Sequence, residues 1–318
     1  YMGGESEVPD LVLDAFGYMY LADNETFAAH LRTNQKLQAA LGAGTKIYTP
    51  DEILAAYPFY HIDDLILGSH NLKDEGYFEG STMFEWWRRS ARKKGAEYIH
   101  NEAIDIQLNA AGNRAEAVTL STGEKVSCGT LINAAGPRAA QFASLANIPL
   151  PIEPRKRFTW IFSAEKPLDR PLPLTIDPSG IHIRQYGKND YMAGSPPNSD
   201  PAAPFDDFEE DHNLWQEHVW PIIAARVPQF EAIRVTSSWA GHYAYNRLDH
   251  NAVLGPHTEI DNFVFANGFS GHGLQQSPAV GRGIAELVLY GRYRTLDLSD
   301  FSYQRIEESR PLLETAII

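Results

Sequence analysis

The chain has 318 residues, enough for one large or two medium domains with ample core. With 43% hydrophobic and 21% charged residues it has the composition of a globular protein. The net charge of −14 excludes the basic footprint that nucleic acid requires, and by itself says nothing about a cationic substrate. The single cysteine, Cys128, excludes an internal disulfide and a cysteine metal cage. Apolar runs fall short of the roughly 18 residues of a membrane span.

In chain order, Tyr1-Met2-Gly3-Gly4 is neither a signal nor a transit peptide, which points to processing or to a fragment. Residues 16–22 (FGYMYLA) predict a strand, and Asn24 caps a helix to about Leu41, with Phe27, Leu31 and Leu37 at helical spacing. Thr49-Pro50-Asp51-Glu52 opens a short helix as a capping box, stopping before Pro58. A helix over 84–94 ends in Arg88, Arg89, Arg92, Lys93 and Lys94, a solvated face that suits the helix dipole. Strands are predicted over 98–100, 103–108, 115–120 and 125–128, then a buried-type strand and turn at 131–136 (LINAAG) and a helix over 138–146. Beyond Pro151, strands at 157–162, 180–185 and 235–243 alternate with Pro-rich loops, and a helix spans 208–226. Its Glu209, Glu210 and Asp211 answer the dipole better than they suit a metal. A strand at 262–267, a glycine-rich turn and a helix over 278–290 follow.

That turn, Gly268-Phe269-Ser270-Gly271-His272-Gly273, is the sharpest local signal. Three glycines in six residues between a strand and a helix let backbone approach a ligand, and the helix terminus offers free N–H groups. The residues alone leave three readings: a plain structural turn, a phosphate cradle, or donors for the edge of a flavin that becomes anionic on reduction.

The stretch NGFSGHGLQQSPAVGRGIAEL resembles the C-terminal flavin-binding segment of the D-amino-acid-oxidase/sarcosine-oxidase superfamily, and LINAAG resembles its second cofactor strand. Asp249 and Gly255-Pro256 match a further superfamily stretch. IEPRKRF, VWPIIAARV and WAGHYAYN resemble a branch that includes an assembly factor of mitochondrial respiratory complex I and bacterial relatives.

The resemblance implies an α/β and α+β protein. An incomplete Rossmann-like FAD-binding domain of glutathione-reductase type (76–150 and 251–318) is interleaved with a substrate domain (1–75 and 151–250) on a mixed, largely antiparallel sheet. It also implies FAD held by Glu102, Ala103, Ala134, Ala135, Gly136, Gly268, Phe269, Ser270, Gly271, His272, Gly273, Leu274 and Gln275. Family members open with a G-x-G-x-x-G turn for the pyrophosphate, and none occurs here. Gly42-Ala43-Gly44 stands between helix and strand, the wrong order. The expectation is therefore a truncated chain holding half of the cofactor site; the alternative is a natural protein that has lost flavin.

The activity implied is oxidation of a secondary or tertiary amine or an amino acid, of sarcosine or dimethylglycine type, by hydride transfer to flavin N5. The alternative is a flavoprotein acting mainly in complex I assembly, with little turnover. Gln275 stands where sarcosine-oxidase-like members use a lysine for the substrate carboxylate; Arg184 is the replacement cation, or else part of a structural salt bridge. Tyr243 and Tyr245 are expected at the flavin face, or in core packing. His242 occupies about the position of the covalent cysteine, so FAD is expected noncovalent. Expected partners are a small amine or amino acid and a protein electron acceptor or complex I subunits. The compartment is the cytoplasm for a bacterial source and the mitochondrial matrix for a eukaryotic one.

Overall fold

The structure is a computed structural model that describes residues 10–314; Tyr1-Met2-Gly3-Gly4 and Ile317-Ile318 lie outside the described residues. The chain opens with β1 (Tyr18–Ala22) and α1 (Glu25–Ala40). Asn24 caps α1 by accepting from the Phe27 amide, as its short side-chain oxygen predicts. β2 (Lys46–Tyr48) and α2 (Pro50–Ala56) follow, and Thr49 and Glu52 close both halves of the capping box.

β3 (Leu67–Asn71) leads to α3 (Gly80–Lys93), which starts at Gly80 rather than at Phe84 because Glu79 supplies the N-cap from its side chain. Tyr98–His100 is not a strand: the segment is exposed, and Tyr98 packs under Arg92 and beside His100. β4 (Ala103–Leu108), β5 (Ala115–Leu120) and β6 (Lys125–Ser127) form a three-stranded meander. β7 (Leu131–Asn133) ends in a tight turn into α4 (Ala139–Ser144).

β8 (Ile152–Ala164), β9 (Leu174–Ile176), β10 (His182–Tyr186) and β11 (Asp190–Ser195) come next. α5 (His212–Leu214) passes through one π-helical stretch into α6 (Trp220–Arg226). Asp211 caps this helix, so Glu209 and Glu210 precede it instead of filling its first turn. β12 (Ile233–Asn246), β13 (Val253–Pro256) and β14 (Phe263–Asn267) lead to α7 (Gly273–Tyr290), and α8 (Gln304–Glu307) closes the described chain. α7 begins at Gly273, not Pro278. Pro278 lies inside the helix, and the Leu274 carbonyl it leaves without an amide accepts from the Ser277 hydroxyl at 2.9 Å.

Eight strands make one mixed sheet in the order β12-β8-β11-β10-β9-β1-β3-β2, antiparallel except for β1 against β9. One face carries Met19, Leu21, Phe158, Trp160, Phe162, Ile183 and Tyr191, all buried against α2, α6 and Phe230. Strand alternation sends the intervening residues to the opposite face, which α1 covers only at the β1–β3 end through Ala28 and Leu31. A second, smaller sheet pairs β7 parallel to β14 and β14 antiparallel to β13. It is sandwiched between α7, through Val264, Val280 and Ile284, and a core of Phe263, Phe265, Ala139, Ala143 and Tyr303. At the far edge of β7, Ile132 is 41% exposed.

Candidate functional site

Because β7 and β14 run parallel, their following turns emerge at the same edge, the end where open α/β sheets bind ligands. Asn267 ties the two turns together: its Nδ2 donates to the Asn133 carbonyl at 3.1 Å, and its Oδ1 is buried with no hydrogen-bond partner. Beyond β7, exposed Ala134 and Ala135 lead to Gly136, whose φ of +56° and empty Cβ direction leave the backbone approachable. Ala135 shares a cleft of about 590 Å³ with Glu102, Ala103, Arg138 and Gln141, so two sequence-predicted cofactor segments do come together.

The glycine-rich turn is pinned from one side. Ser270 sits at φ +47°, fully buried; its amide donates to the Ala244 carbonyl and its Oγ accepts from the Asn246 amide. Asn246 in turn donates to Asp249, which forms an ion pair with Arg305; both charged side chains are wholly buried. Gly271 has φ +105°, and a Cβ there would stand 2.6 Å from the Tyr243 ring. α7 starts without a side-chain cap, so its first amides remain available at Gly273 and Leu274. Gln275 is exposed on that first turn, and Leu274 packs on Gly80 at the start of α3.

Facing this turn is the uncovered face of the large sheet. Register places Tyr18, Tyr20, Arg157, His182, Arg184, Met192 and Tyr243 on that face. Tyr18 and Tyr243 lie five strands apart, roughly 24 Å in a flat sheet. The Tyr18 hydroxyl is nevertheless pushed up chiefly by burial, then by Tyr20, and also by Tyr243. Arg157 lies over the Tyr243 ring at 4.7 Å and forms a bidentate pair with Asp200.

Arg184 is only 7% exposed, and its guanidinium carbon lies 4.1 Å from the centre of the Tyr77 ring and 5.7 Å from that of Tyr186. Among the described residues it forms no ion pair; one nitrogen donates to the Gln185 carbonyl. Burial lowers its pKa, opposed by Tyr77 and Tyr186. The carboxylate whose charge acts on Arg184 is Glu79, outside ion-pair distance. Next to it, burial, Arg184 and Arg157 hold His182 down to about 4, so it is neutral at pH 7, and its Nδ1 is buried without a partner.

Two predicted residues stand apart from this centre. Tyr245 packs beneath Arg155 and against His250 at the end of β12. His242 projects to the opposite face of β12, where it stacks on Phe208 and bonds to the Asp207 carbonyl. Tyr18, Tyr20, Glu75, Tyr77, Arg157 and His182 were missed by sequence reasoning. For Tyr18 and Tyr20, strand alternation was the available signal; for Glu75 and Tyr77, in a loop without periodicity, there was none.

The model of the FAD dependent oxidoreductase family, DAO, matches residues 5–287. The chain belongs to that family. It is 36% identical to FAD-dependent oxidoreductase domain-containing protein 1 of Xenopus laevis, over 97% of this chain and 67% of the relative. The chain spans about two thirds of the length of the curated relatives it matches. Among solved structures, L-proline dehydrogenase from P. horikoshii is similar at a TM-score of 0.82 and 24% identity, covering 96% of this chain and 79% of that one. Glycine oxidase from Geobacillus kaustophilus gives 0.76 and 21%, covering 92% and 75%. These likenesses establish the flavoenzyme fold. The chain's own features fit the family cofactor at its two ends: the uncapped α7 start, Gly271 and the orphaned Asn267 Oδ1 for the ring, and the cleft at Glu102–Ala103 and Ala135 for the adenosine. No residue of the 318 forms the G-x-G-x-x-G turn. Among the described residues there is no cluster able to hold a metal and no helix long and apolar enough to cross a membrane.

Proposed function

We propose that this FAD-dependent oxidoreductase oxidises an amino acid with a secondary or tertiary amine, of sarcosine or dimethylglycine type, with Arg184 anchoring the substrate carboxylate. The observation that carries the reading is a buried guanidinium that forms no ion pair among the described residues, on the open sheet face opposite the glycine-rich turn. Glu79, the carboxylate whose charge acts on it, already accepts from Tyr77 and Ser81, and a guanidinium grips a ligand carboxylate bidentately.

Bound flavin supplies a two-electron acceptor. Tyr77 and Tyr186 stand beside the Arg184 guanidinium and restrict its movement, which limits the angle at which a carboxylate meets it. Neutral His182 adds no second positive charge beside that anchor. The first amides of α7 favour negative charge at the turn, which aids reduction of a ring held there. His242 on the far face of β12 supports noncovalent attachment. The substrates in the names of L-proline dehydrogenase and glycine oxidase support an amino acid.

The test is anaerobic mixing of the flavin-loaded protein with glycine, sarcosine, dimethylglycine and proline, followed by the flavin's visible absorption. Bleaching by at least one is expected, with KM raised 100-fold or more in Arg184→Met; no bleaching by any overturns the proposal. Exposed, uncharged Gln275 favours a second reading, a partner-binding role in complex I assembly, and retention of complex I subunits without bleaching would support it.

A further inference from the structure

The turn after β7 carries a cation that the substrate face does not use. Asn133, 1% exposed, winds that turn around its own side chain: its Oδ1 accepts from the Ala135 amide, and its Nδ2 donates to the Ala139 carbonyl at 2.9 Å. Arg138 leaves the turn two residues past Gly136. Its side chain lines the cleft of about 590 Å³ shared with Glu102, Ala103 and Ala135, a volume ordinary for a small-molecule site.

Two neutral partners hold the guanidinium. Its Nη1 donates to the Gln141 Oε1 at 3.2 Å, and its central carbon lies 4.7 Å from the centre of the Phe205 ring. Phe205 belongs to the loop after β11, which is tied to β8 on both sides of it: the Ala203 amide donates to the Pro154 carbonyl, and Asp207 pairs with Lys156. Among the described residues Arg138 forms no ion pair, and its Nε and Nη2 make no hydrogen bond. That edge of a guanidinium is the one that grips a phosphate with two parallel bonds. The described lining of the cleft adds the carboxylate of Glu102 and the apolar side chains of Ile104, Phe142 and Leu145. A nucleotide calls for this combination: an apolar surface for the base, an acceptor for ribose hydroxyls and a cation for a phosphate.

We propose that Arg138 is a phosphate anchor of this cleft, holding the phosphate next to the adenosine of the bound dinucleotide. This role depends on the family cofactor alone and not on the amino-acid substrate. A guanidinium already oriented by Gln141 and Phe205 loses little further freedom when it takes a phosphate, so the contact adds affinity instead of replacing one order with another.

The test is calorimetry on the full chain freed of flavin, with adenosine, AMP, ADP and inorganic phosphate as probes. AMP and ADP are expected to bind tenfold or more tighter than adenosine, and inorganic phosphate more weakly than AMP. Arg138→Met should remove the preference for AMP and leave adenosine within twofold. Arg138→Lys, which keeps the charge without the fork, should retain part of it. Phe205→Leu should weaken AMP by less than Arg138→Met does. FAD affinity, followed by flavin fluorescence, should fall about tenfold in Arg138→Met, with riboflavin affinity unchanged. No preference for AMP in the wild type, a preference that survives Arg138→Met, or equal weakening of adenosine and AMP by that variant each overturns the proposal. Inorganic phosphate binding as tightly as AMP marks a general anion site and overturns it too. If adenosine binds but AMP gains nothing, the cleft keeps the adenosine and Arg138 loses its role; if none of the four binds, the assignment of the cleft to adenosine falls as well.

Discussion

Gly271→Ala offers a quantitative probe of the glycine-rich turn, because two separate costs meet at that residue. The first is conformational: an L-residue at φ +105° is strained by about 1–3 kcal/mol. The second is steric. The added Cβ would stand 2.6 Å from Cε2 and 3.0 Å from Cζ of Tyr243, against ordinary contacts of about 3.5–4.0 Å, so the ring must retreat by about 1 Å. Arg157 stacked on that ring at 4.7 Å, itself held by Asp200, restricts the retreat. Overpacking of this kind costs about 1–3 kcal/mol, so the total loss expected in denaturant unfolding is about 2–6 kcal/mol. In the background of Tyr243→Ala the steric part vanishes and the strain remains, giving a coupling of about 1–3 kcal/mol in the double-mutant cycle. Gly281→Ala, within α7 and with nothing within 4 Å of its Cβ, is the control and should stabilise by about 0.5–1 kcal/mol. FAD affinity, followed by flavin fluorescence, should fall in Gly271→Ala and stay level in Gly281→Ala. Zero coupling, or equal effects of the two alanines, would refute the reasoning.

The wholly buried Arg305–Asp249 pair anchors the turn through Asn246 and Ser270, and Arg305→Met should cost about 3–5 kcal/mol because it strands the carboxylate. Adding Asp249→Asn should recover much of that loss in the denaturation midpoint; an additive double variant would contradict the account. Burial holds both His70 and His182 at about 4, below the usual 6.5, so between these values only the unfolded chain takes up their protons. Stability should be full above pH 6.5 and fall as the pH drops toward 4, by up to about 3 kcal/mol for each histidine. His182→Gln should flatten that slope in unfolding experiments between pH 5 and 8, and an unchanged slope would count against a buried neutral imidazole.

Local chemistry determined what could be read directly from the chain. Asn24 and Thr49 cap helices because the donors they satisfy lie within three residues, and the turn at Gly268–Gly273 declares itself because close backbone approach needs glycine there. The family was legible for the same reason: the runs at Glu102–Ala103, Ala134–Gly136 and Gly268–Gln275 by which the chain resembles it are each contiguous in sequence. Boundaries failed where a local rule met a longer-range one. Pro278 looked like a helix start, yet α7 runs back past it to Gly273, with the Ser277 hydroxyl bonding the Leu274 carbonyl that Pro278 cannot serve.

The substrate side was decided only by the tertiary structure. Strand alternation says that Arg184 and Gln185 face opposite ways, but not which face is core. That choice belongs to α2 and α6, which bury Ile183 and Tyr191 and leave Arg184 on the open face. The bridge between Asp14 and Tyr77 then sets the Tyr77 ring against Arg184, with Glu79 accepting from the Tyr77 hydroxyl. Neither Asp14 nor Arg184 is a sequence neighbour of Tyr77. The sequence by itself determined the chemistry of each short segment; which side chains share the open face of the large sheet was set only when the sheets and the bridge between Asp14 and Tyr77 packed together.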